Sequence, residues 1–271
     1  MIRDTDMKPS LIINGAAGRM GRRVISMAAE SEAFNIIAAV DIATHPDIGK
    51  DAGLLAGIGE IGVNITSEYP ETADVMIDFS LPQATDATVE YCAKNGIALI
   101  LATTGLTDSQ LKSLKNAAGK IPIVYATNLS VGMNVLFATV GKVAKMLGED
   151  YDIEITEAHH RFKKDSPSGT ALSLAQAIAE ETDRKYPDCL VHGRQGTDAL
   201  RKKGTIGMHA IRAGDITGQH SVIYSALGET VTISHNAHNR DNFARGAVRA
   251  AKWVIDKEPS LYSMKNVLGI E

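Results

Sequence analysis

Leu11-Ile-Ile-Asn14 runs without a break into Gly15-Ala-Ala-Gly-Arg-Met-Gly21, and an amphipathic stretch follows to about Glu32. A short apolar strand, a glycine-rich turn and a helix in that order strongly restrict the possible folds. The glycines allow a tight turn and let main-chain N–H groups approach an anion, whose charge the helix N-terminus favours. The spacing is GxxGxxG, a variant of the usual GxGxxG. The next apolar run, Ile36-Ile-Ala-Ala-Val, ends in Asp41, roughly 20 residues past the loop, where an acid binds a ribose 2′-hydroxyl. The order of strand, loop, helix and acid points to a dinucleotide. A turn that needs positive φ, followed by an ordinary strand-end Asp, is the plainer alternative.

The pattern then repeats. Val75-Met-Ile-Asp-Phe79, Ile97-Ala-Leu-Ile-Leu101 and Ile121-Pro-Ile-Val-Tyr-Ala126 are short apolar runs, separated by helical patterns at Gln83–Lys94 and Asp108–Ala118. Continuously apolar strands with crossover helices between them predict a buried parallel sheet, doubly wound. Ligands of such sheets bind outside the carboxyl ends of the strands. Two of those ends carry Ala102-Thr103-Thr104-Gly105 and Ala126-Thr127-Asn128-Leu129, small and polar residues suited to a close approach. Thr, Asn and Gly also favour ordinary turns.

After Asn128 the grammar changes. A helix is expected from Val131 to about Leu147, a strand at Asp152–Glu157 and a helix from Thr170 to about Thr182. From Thr205 to His238 come three β-like runs rich in branched residues, two of them bounded by Gly218 and Gly228. This predicts an α+β second domain with a mostly antiparallel sheet, followed by a closing helix from about Asn242 to Asp256.

The stretch Glu157-Ala-His159-His160-Arg161-Phe-Lys163-Lys164-Asp-Ser-Pro-Ser168-Gly169-Thr170 packs five potentially cationic groups into six residues and then opens a helix. The helix start supplies free N–H donors beside two hydroxyls. An anion held from both sides, such as a small dicarboxylate, fits better than a neutral substrate. Histidine can donate or accept a proton near neutral pH. A solvated basic loop capped by a Ser/Thr helix start is the plainer reading. Adjacent His159 and His160 lack HExxH spacing and the other histidines are scattered, so no metal site is expected. No GxSxG elbow or Walker loop is present.

Among the 271 residues, 28 Lys+Arg against 32 Asp+Glu leave a net charge of −4, without the basic excess of a nucleic-acid binder. No apolar run approaches the roughly 20 residues of a membrane span. Residues 1–10 are polar and do not read as a secretory signal. Two cysteines without a CxxC argue against a disulfide framework. A soluble cytoplasmic protein is expected, with no nucleic-acid or membrane partner.

Together the glycine loop, Ala102-Thr-Thr-Gly105, Asn128-Leu-Ser-Val-Gly132 and the string Glu157-Ala-His-His-Arg-Phe-Lys-Lys-Asp-Ser-Pro-Ser-Gly-Thr-Ala171 resemble the 4-hydroxy-tetrahydrodipicolinate reductase (dihydrodipicolinate reductase) family of the diaminopimelate–lysine pathway. Gly193-Arg-Gln-Gly196, Arg212-Ala-Gly-Asp215 and Gly218-Gln-His220 also fit, and the likeness covers nearly the whole chain from Leu11 onward. The resemblance implies an NAD(P)H-dependent reduction with loss of water. It makes His159 the proton donor/acceptor and Lys163 the proton donor, with His160, Ser168, Gly169 and Thr170 at the substrate. It places Gly15, Ala16, Ala17, Gly18, Arg19, Met20, Asp41, Ala102, Thr103, Thr104, Ala126, Thr127, Asn128 and Leu129 at the cofactor. It further implies a dinucleotide domain of residues 1–130 and 240–271, a substrate and oligomerisation domain of 131–239, a hinge that closes the two and a homotetramer.

The chain departs from the family at two positions. Ala17 stands where many members carry a third glycine, and Ile42 follows Asp41 where members that use NADPH well often have Arg. Loss of a guanidinium–phosphate pair removes a strong charge-assisted bond, so NADH is the expected preferred cofactor, with NADPH usable through Arg19 or a distant Lys. Another small-molecule dehydrogenase of the same plan would not need the His-His-Arg-x-Lys-Lys loop. A non-catalytic dinucleotide sensor would be expected to add a docking or DNA-binding element.

Overall fold

The structure, a computed structural model, describes residues 8–270; the polar residues 1–7, part of the segment read as no secretory signal, lie outside it. The chain divides into two compact units, one running to Val131 and resuming at Arg240, the other Gly132–Asn239.

The first unit alternates strands and helices: β1 (Ser10–Asn14), α1 (Arg19–Ser31), β2 (Asn35–Val40), α2 (Ala52–Ala56), β3 (Ile65–Thr66), β4 (Val75–Asp78), α3 (Thr85–Asn95), β5 (Ala98–Leu101), α4 (Asp108–Ala117) and β6 (Pro122–Tyr125). The second contains α5 (Val131–Leu147, entering from the first), β7 (Asp152–His159), α6 (Gly169–Glu181), β8 (Leu190–His192), β9 (Ile206–Arg212), β10 (Gly218–Ala226) and β11 (Glu229–Ala237). The chain then returns to the first unit with α7 (Asp241–Val254), β12 (Ser260–Tyr262) and α8 (Met264–Leu268).

The first sheet has the order β12-β6-β5-β4-β1-β2-β3, and every ladder is parallel. Its strands read as continuous apolar runs because both faces are buried. Leu11, Ile13, Val75, Ile77 and Ile100 face one core with residues of α1 and α7, and the alternate residues Ile12, Met76, Leu99 and Leu101 face the other with residues of α3 and α4. Chain order reverses between β1 and β4, the switch point at which a ligand crevice forms in such sheets. Helix α7 packs on α1 through Ala244, Ala247, Ala250 and Ala251, and Arg23 clamps Asp241 with bonds of 2.5 and 2.7 Å.

The sheet of the second unit has the order β11-β10-β7-β9-β8. The ladders of β10 with β11 and with β7 are antiparallel, as expected, whereas β7–β9 and β8–β9 are parallel. The sheet is therefore mixed. The parallel ladders arise because the chain is carried back twice, by helix α6 between β7 and β8 and by residues 193–205 between β8 and β9. Ile153, Ile155, Val222 and Tyr224 point to a core shared with α5 and α6. The Tyr224 hydroxyl is satisfied there by the Val140 carbonyl at 2.6 Å.

Candidate functional site

In the first unit every residue expected at a cofactor lies at or just past the carboxyl end of a strand. Gly15 takes φ +73°, and a Cβ there would lie 2.8 Å from the Phe79 backbone. A Cβ on Gly21 would lie 2.1 Å from the Gly15 carbonyl, so α1 can start this close to the loop only with glycine. Ala17 is absent from the residues with positive φ. A methyl group is therefore compatible with the loop backbone at this position. Gly18 caps α1 with no side-chain bond to the first turn, leaving N–H donors of Arg19, Met20 and Gly21 without a side-chain partner, as a bound pyrophosphate requires.

Asp41 follows β2, and its Oδ2 accepts the Ala17 N–H at 2.9 Å while Oδ1 accepts that of Ile42. Each carboxylate oxygen retains a lone pair for a ribose hydroxyl. Ile42 is 61% exposed and brings no charge. A cleft of about 230 Å³ is lined by Met20, Ala102, Ala126, Thr127, Asn128 and Leu129, joined by Phe79, Arg240 and Phe243. The last three were not singled out from the sequence. Arg240 and Phe243 reach the cleft only because α7 returns from the far end of the chain, which no local pattern reveals.

Thr103 plays an internal part. It is buried, and its hydroxyl donates to Asp78 Oδ2 at 2.9 Å. Asp78 in turn accepts from Asn14 at 2.6 Å, its partner in the β1–β4 ladder. Burial raises the Asp78 carboxyl above the usual range against the pull of these bonds. This acid ties the ends of β1, β4 and the segment after β5 at the switch point. The apolar run Val75–Phe79 contained the signal, a lone Asp in a buried strand.

In the second unit β7 ends in His159, and the loop to α6 carries the remaining candidates. Glu157 is 1% exposed and is held from three sides. Both arms of Arg212 reach it at 2.8 Å, the Ser168 N–H donates at 2.9 Å and His159 Nδ1 lies at 2.6 Å. Burial would raise its pKa, but Arg212, His159 and the Ser168 amide outweigh it and hold Glu157 below the carboxylate range. An ionised carboxylate only accepts, so the proton of His159 sits on Nδ1 and Nε2 is left for exchange. Burial lowers the His159 pKa, Glu157 partly restores it, and Lys163 and Arg212 lower it again, with a net decrease. That direction favours the neutral imidazole.

Lys163 pairs with Asp165 at 3.0 Å and keeps 22% of its side chain exposed. His160 Nδ1 is buried without a hydrogen-bond partner among the described residues. Ser168 is buried; its hydroxyl caps α6 through the Ala171 N–H and meets His220 Nε2 at 3.2 Å. Gly169 and Thr170 open α6. Gly169 has ordinary φ, and a Cβ there would meet nothing within 4 Å. The fold itself therefore does not require glycine at this exposed helix start. Arg212, on β9, is the main residue of this cluster whose role was not assigned from the sequence.

The family models described as Dihydrodipicolinate reductase, N-terminus, and Dihydrodipicolinate reductase, C-terminus, match residues 9–129 and 132–268. The chain belongs to the dihydrodipicolinate reductase family. A relative from Alkalilimnicola ehrlichii named 4-hydroxy-tetrahydrodipicolinate reductase is 47% identical over 97% of this chain and 100% of its own. One of the same name from Acinetobacter baumannii (strain AYE) is 46% identical over 97% of each. Among solved structures, a dipicolinate-bound dihydrodipicolinate reductase from Paenisporosarcina sp. TG-14 matches with a TM-score of 0.76 at 23% identity, covering 96% of this chain and 99% of that one. The likeness to that structure supports the fold. Family membership rests on the sequence matches.

Proposed function

We infer that this reductase converts 4-hydroxy-tetrahydrodipicolinate to tetrahydrodipicolinate with loss of water, in the diaminopimelate route to lysine. The relatives named for this reaction align over almost their whole length. The observation in the fold that supports it best is the pairing of a proton-exchanging histidine with an anion-holding helix start in one loop. When bound, a reduced nicotinamide dinucleotide supplies a hydride, which with one proton from the protein balances the water released.

The proposed roles follow the residues. The first-turn amides of α1 and the loop Gly15–Met20 would hold the pyrophosphate, Asp41 the ribose, and Ala102 to Thr104 and Ala126 to Leu129 the nicotinamide end, with Thr103 acting through Asp78. His159 exchanges a proton at Nε2 and Lys163 donates one. His160, the Gly169 amide and Thr170 bind the carboxylates, and Ser168 fixes the helix start that presents them. Gly169 supports this role because a bare backbone lets a carboxylate reach the N–H groups of the first turn. We assign dinucleotide binding to residues 1–130 and 240–271, and substrate binding and oligomerisation to 131–239.

The exposed Ile42 beside Asp41 supports a preference for NADH over NADPH. A homotetramer is proposed on the second sheet, whose outward face aligns Thr156, Ser221 and Ser234, and beside them Ile223 and Thr232, all partly or fully exposed. We propose a cytoplasmic location, which a role in amino-acid biosynthesis supports. Among the described residues no helix is long and apolar enough to cross a membrane.

Transfer from dinucleotide deuterated at C4 of the nicotinamide tests the reaction. The product is expected to gain one deuteron and to have lost water relative to substrate. A product without the label would contradict the assignment.

A further inference from the structure

Asp41 and a second charged residue grip the same loop residue from opposite ends. Asp41 accepts the Ala17 N–H, and Arg22 Nε donates to the Ala17 carbonyl at 2.8 Å. Arg22 is thus a cation bonded one residue's backbone away from the acid read here as the ribose ligand. Its other arm donates to Asp47 Oδ2 at 2.7 Å, and Lys50 Nζ donates to Asp47 Oδ1 at 2.6 Å. Asp47 lies in the segment between β2 and α2, with its side chain 14% exposed, while Arg22 and Lys50 are 37% and 58% exposed. His45 sits beside the same carboxylate, its Nδ1 3.2 Å from the Asp47 N–H nitrogen and 3.8 Å from Asp47 Oδ2. One carboxylate therefore occupies two cations on the ribose side of the glycine loop.

A ribose 2′-phosphate carries close to two negative charges and needs cations within bonding reach. To recruit Arg22 or Lys50 it would have to displace Asp47 and leave that largely buried carboxylate without its partners. Resting on the reading of Asp41 as the ribose-binding acid, we propose that Asp47 is a specificity-determining residue: it withholds Arg22 and Lys50 from a 2′-phosphate and so disfavours NADPH. Ile42 explains which cation the chain lacks. Asp47 explains why the cations it has do not substitute. NADPH use can then be gained by removing a carboxylate, with no arginine added.

The test is steady-state kinetics of the full-length enzyme with each cofactor. In Asp47→Ala and in Asp47→Asn, which keeps the side-chain shape, the ratio of kcat/KM for NADPH to that for NADH is expected to rise roughly tenfold or more, the scale of one freed charged hydrogen bond. Adding Arg22→Ala to Asp47→Ala is expected to reverse most of the gain. Lys50→Ala alone, at an exposed position, is expected to leave the wild-type ratio unchanged because Lys50 is already engaged. An unmoved ratio in the folded Asp47 variants, or a fall in NADPH use in Lys50→Ala alone, would overturn the proposal. Fluorescence titration of the wild type separates the two levels. A protein that binds neither dinucleotide contradicts the cofactor reading itself, whereas one that binds NADH with an unmoved ratio contradicts only the role of Asp47.

Discussion

Glu157 Oε2 lies 2.6 Å from Nδ1 of His159, and that contact decides which imidazole nitrogen can exchange a proton. The carboxylate is fixed by Arg212 and the Ser168 amide, so the ring is oriented by groups that do not themselves touch the exchanging nitrogen. A Glu157→Gln variant loses the charge that raises the His159 pKa. Its kcat is expected to fall about 10- to 100-fold, and the acidic limb of kcat/KM to move to lower pH. A pH profile with both limb and plateau unchanged would contradict the positioning role of Glu157.

His159→Ala and Lys163→Ala remove the proposed proton groups themselves. Each is expected to lower kcat by about 10² to 10⁴, while the dissociation constant for NADH changes less than about threefold. Unchanged turnover in both variants would remove these roles.

Three glycines predict three different outcomes on substitution with alanine. Gly15→Ala forces positive φ and a clash with the Phe79 backbone, and is expected to cost about 2 kcal/mol or more. Gly246→Ala would place a Cβ 1.8 Å from the Leu129 carbonyl, pushing α7 off the cofactor cleft, with a similar loss. Gly169→Ala meets nothing, and alanine favours helix by up to about 1 kcal/mol. Its melting temperature should hold or rise while KM for substrate increases about tenfold. A fall in the Gly169→Ala melting temperature with KM unchanged would contradict a binding role for that backbone.

His220 is buried beside His159, and burial with the nearby imidazole pulls its pKa to about 4. An unfolded histidine titrates near 6.5, so the unfolded state binds the extra proton first. The stabilisation is present above about pH 6.5 and is lost as pH falls toward 4, by up to about 3 kcal/mol. Denaturant titrations across that window should show a weaker pH dependence in His220→Gln than in the wild type. Equal slopes would place the titration elsewhere.

Much of this was legible in the sequence because the features are local. The β1–α1 glycine loop, the strand-end Asp41 and the His159-to-Thr170 stretch each lie within one contiguous segment. The sheet of the first unit was legible because two-sided burial makes each strand a continuous apolar run. Short elements were not: β3 and β12 have two and three residues, too few to show a period. The partners supplied by distant segments also escaped. Arg212 reaches Glu157 only through the β7–β9 ladder, Arg240 reaches the cleft only through the return of α7, and Asp47 shows its meaning only once Arg22 is seen to span from Ala17 to it.

The quaternary assignment has its own check. Sedimentation at micromolar concentration is expected to give the mass of four chains of 28.9 kDa each. A monomer would leave the outward face of the second sheet without its proposed cover.

The most direct test of the whole account is the initial rate of NADH and of NADPH oxidation, measured separately. Substrate would be generated in situ from pyruvate and aspartate semialdehyde by the preceding synthase. The account predicts oxidation that depends on both synthase substrates, with higher catalytic efficiency for NADH. Oxidation of neither cofactor, by protein that still binds both, would contradict the assigned reaction; equal or better efficiency with NADPH would contradict the reading of Asp41, Ile42 and Asp47.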